Sequence, residues 1–252
     1  MTSSRSGPLA AWASSWLAGH AAADEVLRAV LAQDGVHRVA GLPEPAASAP
    51  LSELLIAWRR DADRVRLVLP VPGDLRGLPD HGEFRTAAVA AGEAVLGGTI
   101  AVVPAVFDPA PSSAPVSVTW QAYLVSGAPV EYVPLAEAQY ELATAIRETA
   151  AALVQAGVSG TGADIAESLA QARRLGERIN LPPDHPPRAV ALLAQAQRLQ
   201  AVLELAVADP VGAAVTAHAA QARDAALRPL AAAVRRALLA GYNARPEDHA
   251  GT

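Results

Sequence analysis

The stretch from Pro70 to Glu83 gathers the densest group of residue types able to do chemistry: Asp74, Arg76, Asp80, His81 and Glu83. A carboxylate beside an imidazole can orient it and share its proton, and a guanidinium can grip an anionic group through two parallel bonds. These five residues are the candidate ligand-binding set, and the spacing singles out no catalytic residue. The same letters also spell a plain connector. Pro72 and Gly73 make a turn that Asp74 completes, Asp80 stands where a helix cap belongs, and Glu83 stands where a capping-box partner belongs.

Other constellations carry less. Gly157, Gly160 and Gly162 open onto a helix, but they follow a helix rather than a strand and read G-x-x-G-x-G, so helix termination and a linker account for them better than phosphate binding. The histidines, His20, His37, His81, His185, His218 and His249, include no H-x-x-x-H pair, and no metal is expected. No G-x-S-x-G elbow supports a serine nucleophile. Arg59 and Arg60 beside Trp58, then Arg173, Arg174 and Arg178, then Arg235 and Arg236 are the basic clusters. Asp61, Asp63 and Glu177 interleave with the first two, so these read as solvated faces with internal ion pairs rather than as a grip on nucleic acid.

Composition narrows the chemistry further. All 20 residues counted as Lys+Arg are Arg, and Cys is 0. Without Lys there is no Schiff-base lysine and no G-x-x-x-x-G-K-[ST] phosphate loop; without Cys there is no thiol nucleophile, thiolate metal site or disulfide. The net charge of -5 opposes a whole-molecule grip on phosphate or anionic lipid. No cofactor is expected, and the balance leans against an enzyme.

Elements must position whatever these residues do. At 52% hydrophobic and 18% charged residues, a chain of 252 residues can bury a substantial core. Leu9, Trp12, Trp16, His20, Ala23, Leu27 and Val30 recur every three or four residues and predict one amphipathic N-terminal helix. Arg5 ahead of the apolar run Leu9 to Leu17 has the outline of a signal peptide, but Ser14 and Ser15 interrupt the run and the helical spacing continues past Ala22. No run is long enough to span a membrane, and a cytoplasmic location is the expectation.

Between about Val36 and Tyr132, β-branched and aromatic residues predict a sheet. Leu54 to Trp58 and Val65 to Leu69 read as two strands around a charged turn, although Ser52 to Arg60 admits a short helix instead. Thr99 to Phe107 and Val116 to Val125 read as two more strands, with a bulge or a change of face suggested by the imperfect alternation of Val116, Val118, Trp120 and Tyr123. A helix is predicted over Glu83 to Leu96 and a longer one over Leu135 to Ala156, ended by Gly157. The Pro-rich stretches Leu42 to Pro50, Pro104 to Pro115 and Pro182 to Pro187 read as stiff connectors.

After Gly157 the chain is alanine-rich with helical spacing. Thr161 with Asp164 predicts a helix start, and Ile165 to Ile179 and Leu192 to Leu203 carry stripes. Asp209 and Pro210 start a further segment, which kinks or restarts at Pro229.

The expected fold class is α+β: a mainly antiparallel sheet with covering helices over residues 1–157, then an all-helical region of three or four helices over 158–252. Small Ala and Gly positions bury little area each, so the helical stripes must find another surface. The expected function is a non-enzymatic interaction or regulatory module, acting by self-association or adaptor contacts with a protein partner through helical faces. The competing class is a small-molecule-binding protein or enzyme with its pocket beside residues 70–83.

Overall fold

The computed structural model describes residues 4–32, 35–43, 48–107, 116–126, 133–155, 180–208 and 217–245. The chain divides into two compact units. The described residues between 2 and 131, with Asn180–His185, form one; those between 132 and 179 and from 186 onward form the other. The connector 157–162, where composition suggests a boundary, lies outside the described residues. So do the expected stripe over 165–179, the Arg173, Arg174 and Arg178 cluster, and the Asp209–Pro210 helix start.

The first unit is an α+β fold. Its elements are α1 (Ser6–Leu17), α2 (Ala23–Leu31), β1 (Val36–Ala40), β2 (Ser48–Pro50), α3 (Leu51–Asp61), β3 (Val65–Val68), α4 (Gly82–Ala91), β4 (Ala94–Gly97), β5 (Ile100–Phe107) and β6 (Ser117–Leu124). The six strands form one sheet in the order β2-β1-β6-β5-β4-β3. Only the β1–β6 pairing is parallel; the other pairings among the described residues are antiparallel. On one face His37 of β1 and Trp120 of β6 are buried, and Trp58 of α3 packs where Gly97 leaves room. On the other, Phe84 and Ala88 of α4 join Leu96, Ala101, Val103 and Tyr123 in an apolar cluster.

Several elements differ from their sequence reading, each for an identifiable reason. The single N-terminal helix is two helices. Gly19 adopts φ +82°, and the amides of Gly19 and His20 donate to the carbonyls of Trp16 and Ser15 at 3.0 and 2.9 Å, the paired bonds that close a helix with a left-handed residue. His20 therefore sits in the elbow between α1 and α2 and not on a helix face. Leu54 to Trp58 is not a strand but part of α3, whose buried residues Leu51, Leu54, Leu55 and Trp58 follow helical spacing.

The helix predicted over Glu83 to Leu96 stops at Ala91, because Gly92 at φ +72° caps it and the chain reverses into β4. Val95 and Leu96 are strand residues, and all four residues of β4 are buried, so their apolar run carries no alternation. The β5–β6 register runs without a bulge from Ile100 opposite Leu124 to Phe107 opposite Ser117. Tyr123 breaks the apolar alternation because it belongs to the opposite face from Trp120, where it packs on Phe84 with ring centroids 5.7 Å apart. Two stretches read as connectors also do more: Leu42 to Pro50 contains β2, and Pro182 to His185 packs with the α+β unit.

The second unit contains α5 (Leu135–Gln155), α6 (Pro187–Ala208) and α7 (Ala217–Tyr242). Helix α7 packs against both α5 and α6. The approach to α6 is close, since a Cβ at Gly241 would stand 2.5 Å from Leu193 Cγ. Arg236 of α7 ties to α5, with Nη2 3.2 Å from Glu137 Oε1 and Nε 2.7 Å from Glu141 Oε2. Pro229 lies inside α7, which runs on past it to Tyr242. No described helix is long and apolar enough to cross a membrane.

Candidate functional site

The five sequence candidates follow β3 and lead into α4, and most of their polar groups are committed to local partners. Arg76 makes a two-pronged contact with Asp74, Nε to Oδ1 and Nη2 to Oδ2, both at 2.8 Å. The Asp74 amide and carbonyl also pair with Val71, closing a tight turn over Pro72 and Gly73. Asp80 does not cap α4; its carboxylate meets Arg85 Nη1 at 2.6 Å. The cap is His81, whose Nδ1 accepts the Phe84 amide at 3.2 Å while its ring lies edge-on to Tyr123. Because an amide N–H only donates, Nδ1 must carry a lone pair, which puts the proton of the neutral ring on Nε2. Glu83 is exposed in the first turn of α4. The structure thus brings Asp74 to Arg76 and sets His81 to a separate task at the helix start.

A different group assembles at the α1–α2 elbow, from residues far apart in the chain. Asp184 accepts from Ser15 Oγ through Oδ1 at 2.6 Å and from His20 Nδ1 through Oδ2 at 2.9 Å. Trp12 Nε1 donates to the Asn180 carbonyl at 3.2 Å, and Asn180 Nδ2 donates to the Ala29 carbonyl at 3.5 Å. Helix α1 explains half of this, since Trp12 and Ser15 are three residues apart and share a face. The Gly19 turn then brings His20 round to the same carboxylate. Burial pushes the Asp184 carboxyl up, but the bonds from Ser15 and His20, aided by its own backbone amide and by the charge of His20, outweigh it and hold its pKa below the ordinary value.

The three residue types Ser, His and Asp invite comparison with a nucleophilic triad, and the connectivity answers it. In a triad the imidazole lies between the other two and takes the serine proton. Here the carboxylate lies between, and the Ser15 hydroxyl proton is directed at Asp184, so the hydroxyl has no imidazole base to activate it. The arrangement holds a segment in place. Nothing in local spacing marked it, because Ser15 and Asp184 are 169 positions apart.

Two further polar contacts tie distant parts of this unit. Glu93 caps α1 from outside, accepting the Ser6 amide at 3.2 Å, the Arg5 amide at 3.4 Å and the Ser4 hydroxyl, with a negative charge at the positive helix end. Asp61 accepts both the Thr99 hydroxyl and the Thr99 amide, and these bonds hold its carboxyl below the usual range. Among the described residues no group of three His, Asp or Glu side chains is placed to hold a metal.

Comparison with known proteins bears on the whole chain. Residues 6–137 match the N-terminal domain of the Rv1486c-like protein family, and residues 136–239 match its C-terminal domain. The chain belongs to the Rv1486c-like family. It is 34% identical to the uncharacterized protein Rv1486c of Mycobacterium tuberculosis (strain ATCC 25618 / H37Rv), over 94% of this chain and 95% of that protein. It is 31% identical to the uncharacterized protein MAV321 of Mycobacterium avium and to the uncharacterized protein ML1804 of Mycobacterium leprae (strain TN), with the same coverage. No solved structure matches the chain. The family's two domains meet at residues 136 and 137, close to where the two units divide, and they place α5 with the C-terminal helices.

Proposed function

We propose that the chain is a non-enzymatic interaction module, working by self-association or adaptor contacts through its helical unit. One observation carries the reading: Tyr140 and Val154, 70% and 81% exposed, lie on one outer stripe of α5, away from its buried stripe of Leu135, Ala138, Leu142, Ala145 and Thr149. Positions fourteen apart fall on nearly the same side of a helix, about 21 Å apart along its axis, so a partner lying along α5 would meet both. Large apolar side chains aligned on a charged helix mark a contact surface more often than an isolated one does. A cytoplasmic location is part of the proposal and is tested by cell fractionation.

Native mass spectrometry of the full chain, beside its denatured mass, provides the test. A multiple of 25.8 kDa, or a stoichiometric protein partner, is expected, and Tyr140→Glu with Val154→Glu should return the chain to a bare monomer. A bare monomer in the unaltered chain at tens of micromolar, or an assembly indifferent to both substitutions, overturns the reading. The competing pocket beside residues 70–83 has no specific observation behind it, since the Arg76 fork that would hold an anion is occupied by Asp74.

A further inference from the structure

The segment Asn180–His185 behaves as a docked peptide. Its contacts assign it to the α+β unit, whereas the chain that continues from Pro186 belongs to the other unit. It is bonded to the surface beneath it. That surface is the α1–α2 elbow, and its bonds read both the main chain and the side chains of a short segment. An indole N–H takes a main-chain carbonyl, a main-chain carbonyl takes the Asn180 amide, and a hydroxyl with an imidazole takes both oxygens of one carboxylate.

We propose that the α1–α2 elbow is a peptide-docking groove, filled here in cis by Asn180–His185, whose partner in trans is a segment that carries the same Pro-Pro-Asp turn. Pro182 and His185 are buried and Pro183 is exposed, so the segment rests on the two ends of its turn and presents Pro183 outward. The His185 amide donates to the Pro182 carbonyl at 3.0 Å, closing the turn that presents Asp184. Prolines lower the entropy lost on docking, which suits a short ligand making few bonds. Trp12, Ser15 and His20 belong to the elbow and would meet the same groups whichever chain supplied them. The His20 side chain that bonds Asp184 is 50% exposed, so solvent reaches this bond. This groove is separate from the α5 face, and either assignment can fail without the other.

The test titrates a fluorescein-labelled peptide of residues 180–186 into the full chain and reads anisotropy, with hydrogen exchange of the 180–185 amides in parallel. The unaltered chain should bind weakly, because the tethered segment competes at an effective concentration in the millimolar range. Asp184→Ala should speed exchange of those amides and tighten peptide binding by about tenfold or more. Adding Ser15→Ala and His20→Ala should abolish that gain, as should Asn for Asp in the peptide. The proposal is overturned if Asp184→Ala frees the segment without any gain in binding, if it leaves the exchange unchanged, or if the gain survives loss of Ser15 and His20. Should Asp184→Ala not fold, the isosteric Asp184→Asn takes its place; failure of both to fold would make the segment an integral part of the unit and overturn the proposal equally.

Discussion

Gly97 lies directly against the indole of Trp58: a Cβ added there would stand 2.6 Å from both Cδ1 and Nε1 of the ring. The indole has no freedom to yield. It is fully buried on the sheet, and its Nε1 donates to the Ile100 carbonyl at 3.1 Å, which fixes α3 over the β4–β5 hairpin.

Gly97→Ala should therefore destabilise the α+β unit by about 1–3 kcal/mol through overpacking at an immobile ring. Chemical denaturation followed by tryptophan fluorescence reads this directly. Trp58→Phe in the Gly97→Ala background should recover part of the loss by removing the clashing five-membered ring. Equal stability of Gly97→Ala and the unaltered chain would show that α3 can slide on the sheet.

Acid should free Asn180–His185 before it unfolds the sheet. The Asp184 carboxyl titrates below its ordinary value, so the contribution of its ionised form is present above the unfolded pKa of about 3.9 and is lost as pH falls through the lower folded value. Hydrogen exchange at several pH values, corrected for intrinsic rates, should show protection of the 180–185 amides holding from pH 7 to about 5 and collapsing below about 4. Asp184→Asn should flatten that profile. Protection that fades instead between pH 7 and 5 would transfer the control to another group.

The fold is legible wherever spacing reports burial on one side. α5 declares itself through Leu135, Leu142 and Thr149, and β5 and β6 through their apolar runs. Errors cluster at single glycines. Nothing in composition separates Gly19 and Gly92, which reverse the chain, from a glycine tolerated within a helix, because the difference is a backbone angle fixed by the packing of the next element. Leu54 and Leu55 are ambiguous for another reason: a short apolar run fits a strand or a helix, and only contact with the sheet decides. The elbow group has no local signature at all. His20, Ser15 and Asp184 each look unremarkable beside their neighbours, and the carboxylate that joins them comes from beyond α5 in the chain.

The loop Pro70 to Glu83 should prove structural at His81 and dispensable at Arg76. His81→Ala removes the acceptor for the Phe84 amide and should cost about 1 kcal/mol, while His81→Asn, which also caps helices, should restore most of it. Arg76→Ala breaks an exposed ion pair and should change stability by no more than about 0.5 kcal/mol. Paired thermal melts of the three variants decide this. A large loss at Arg76 without one at His81 would show that the two-pronged Asp74 contact, and not the helix cap, holds the loop.

Helix α7 passes through Pro229 with help from α5. Proline has no amide to donate and its ring crowds the preceding turn, which loosens the carbonyls there and ordinarily costs a helix about 3 kcal/mol. Thr149, buried on α5, donates its hydroxyl to the Ala226 carbonyl in that turn at 3.3 Å. The bond supplies a donor where the helix is weakest, and it gives a polar side chain on an apolar stripe its partner. Thr149→Val keeps the shape and deletes the donor, so it should destabilise the helical unit by about 1–2 kcal/mol. Pro229→Ala relieves the crowding of that turn, which lets the Leu230 amide close on the Ala226 carbonyl, and should make the Thr149→Val change less costly, a coupling that a double-mutant cycle measures. Strictly additive effects would mean that the Thr149 hydroxyl serves its own burial and not the turn beside the proline.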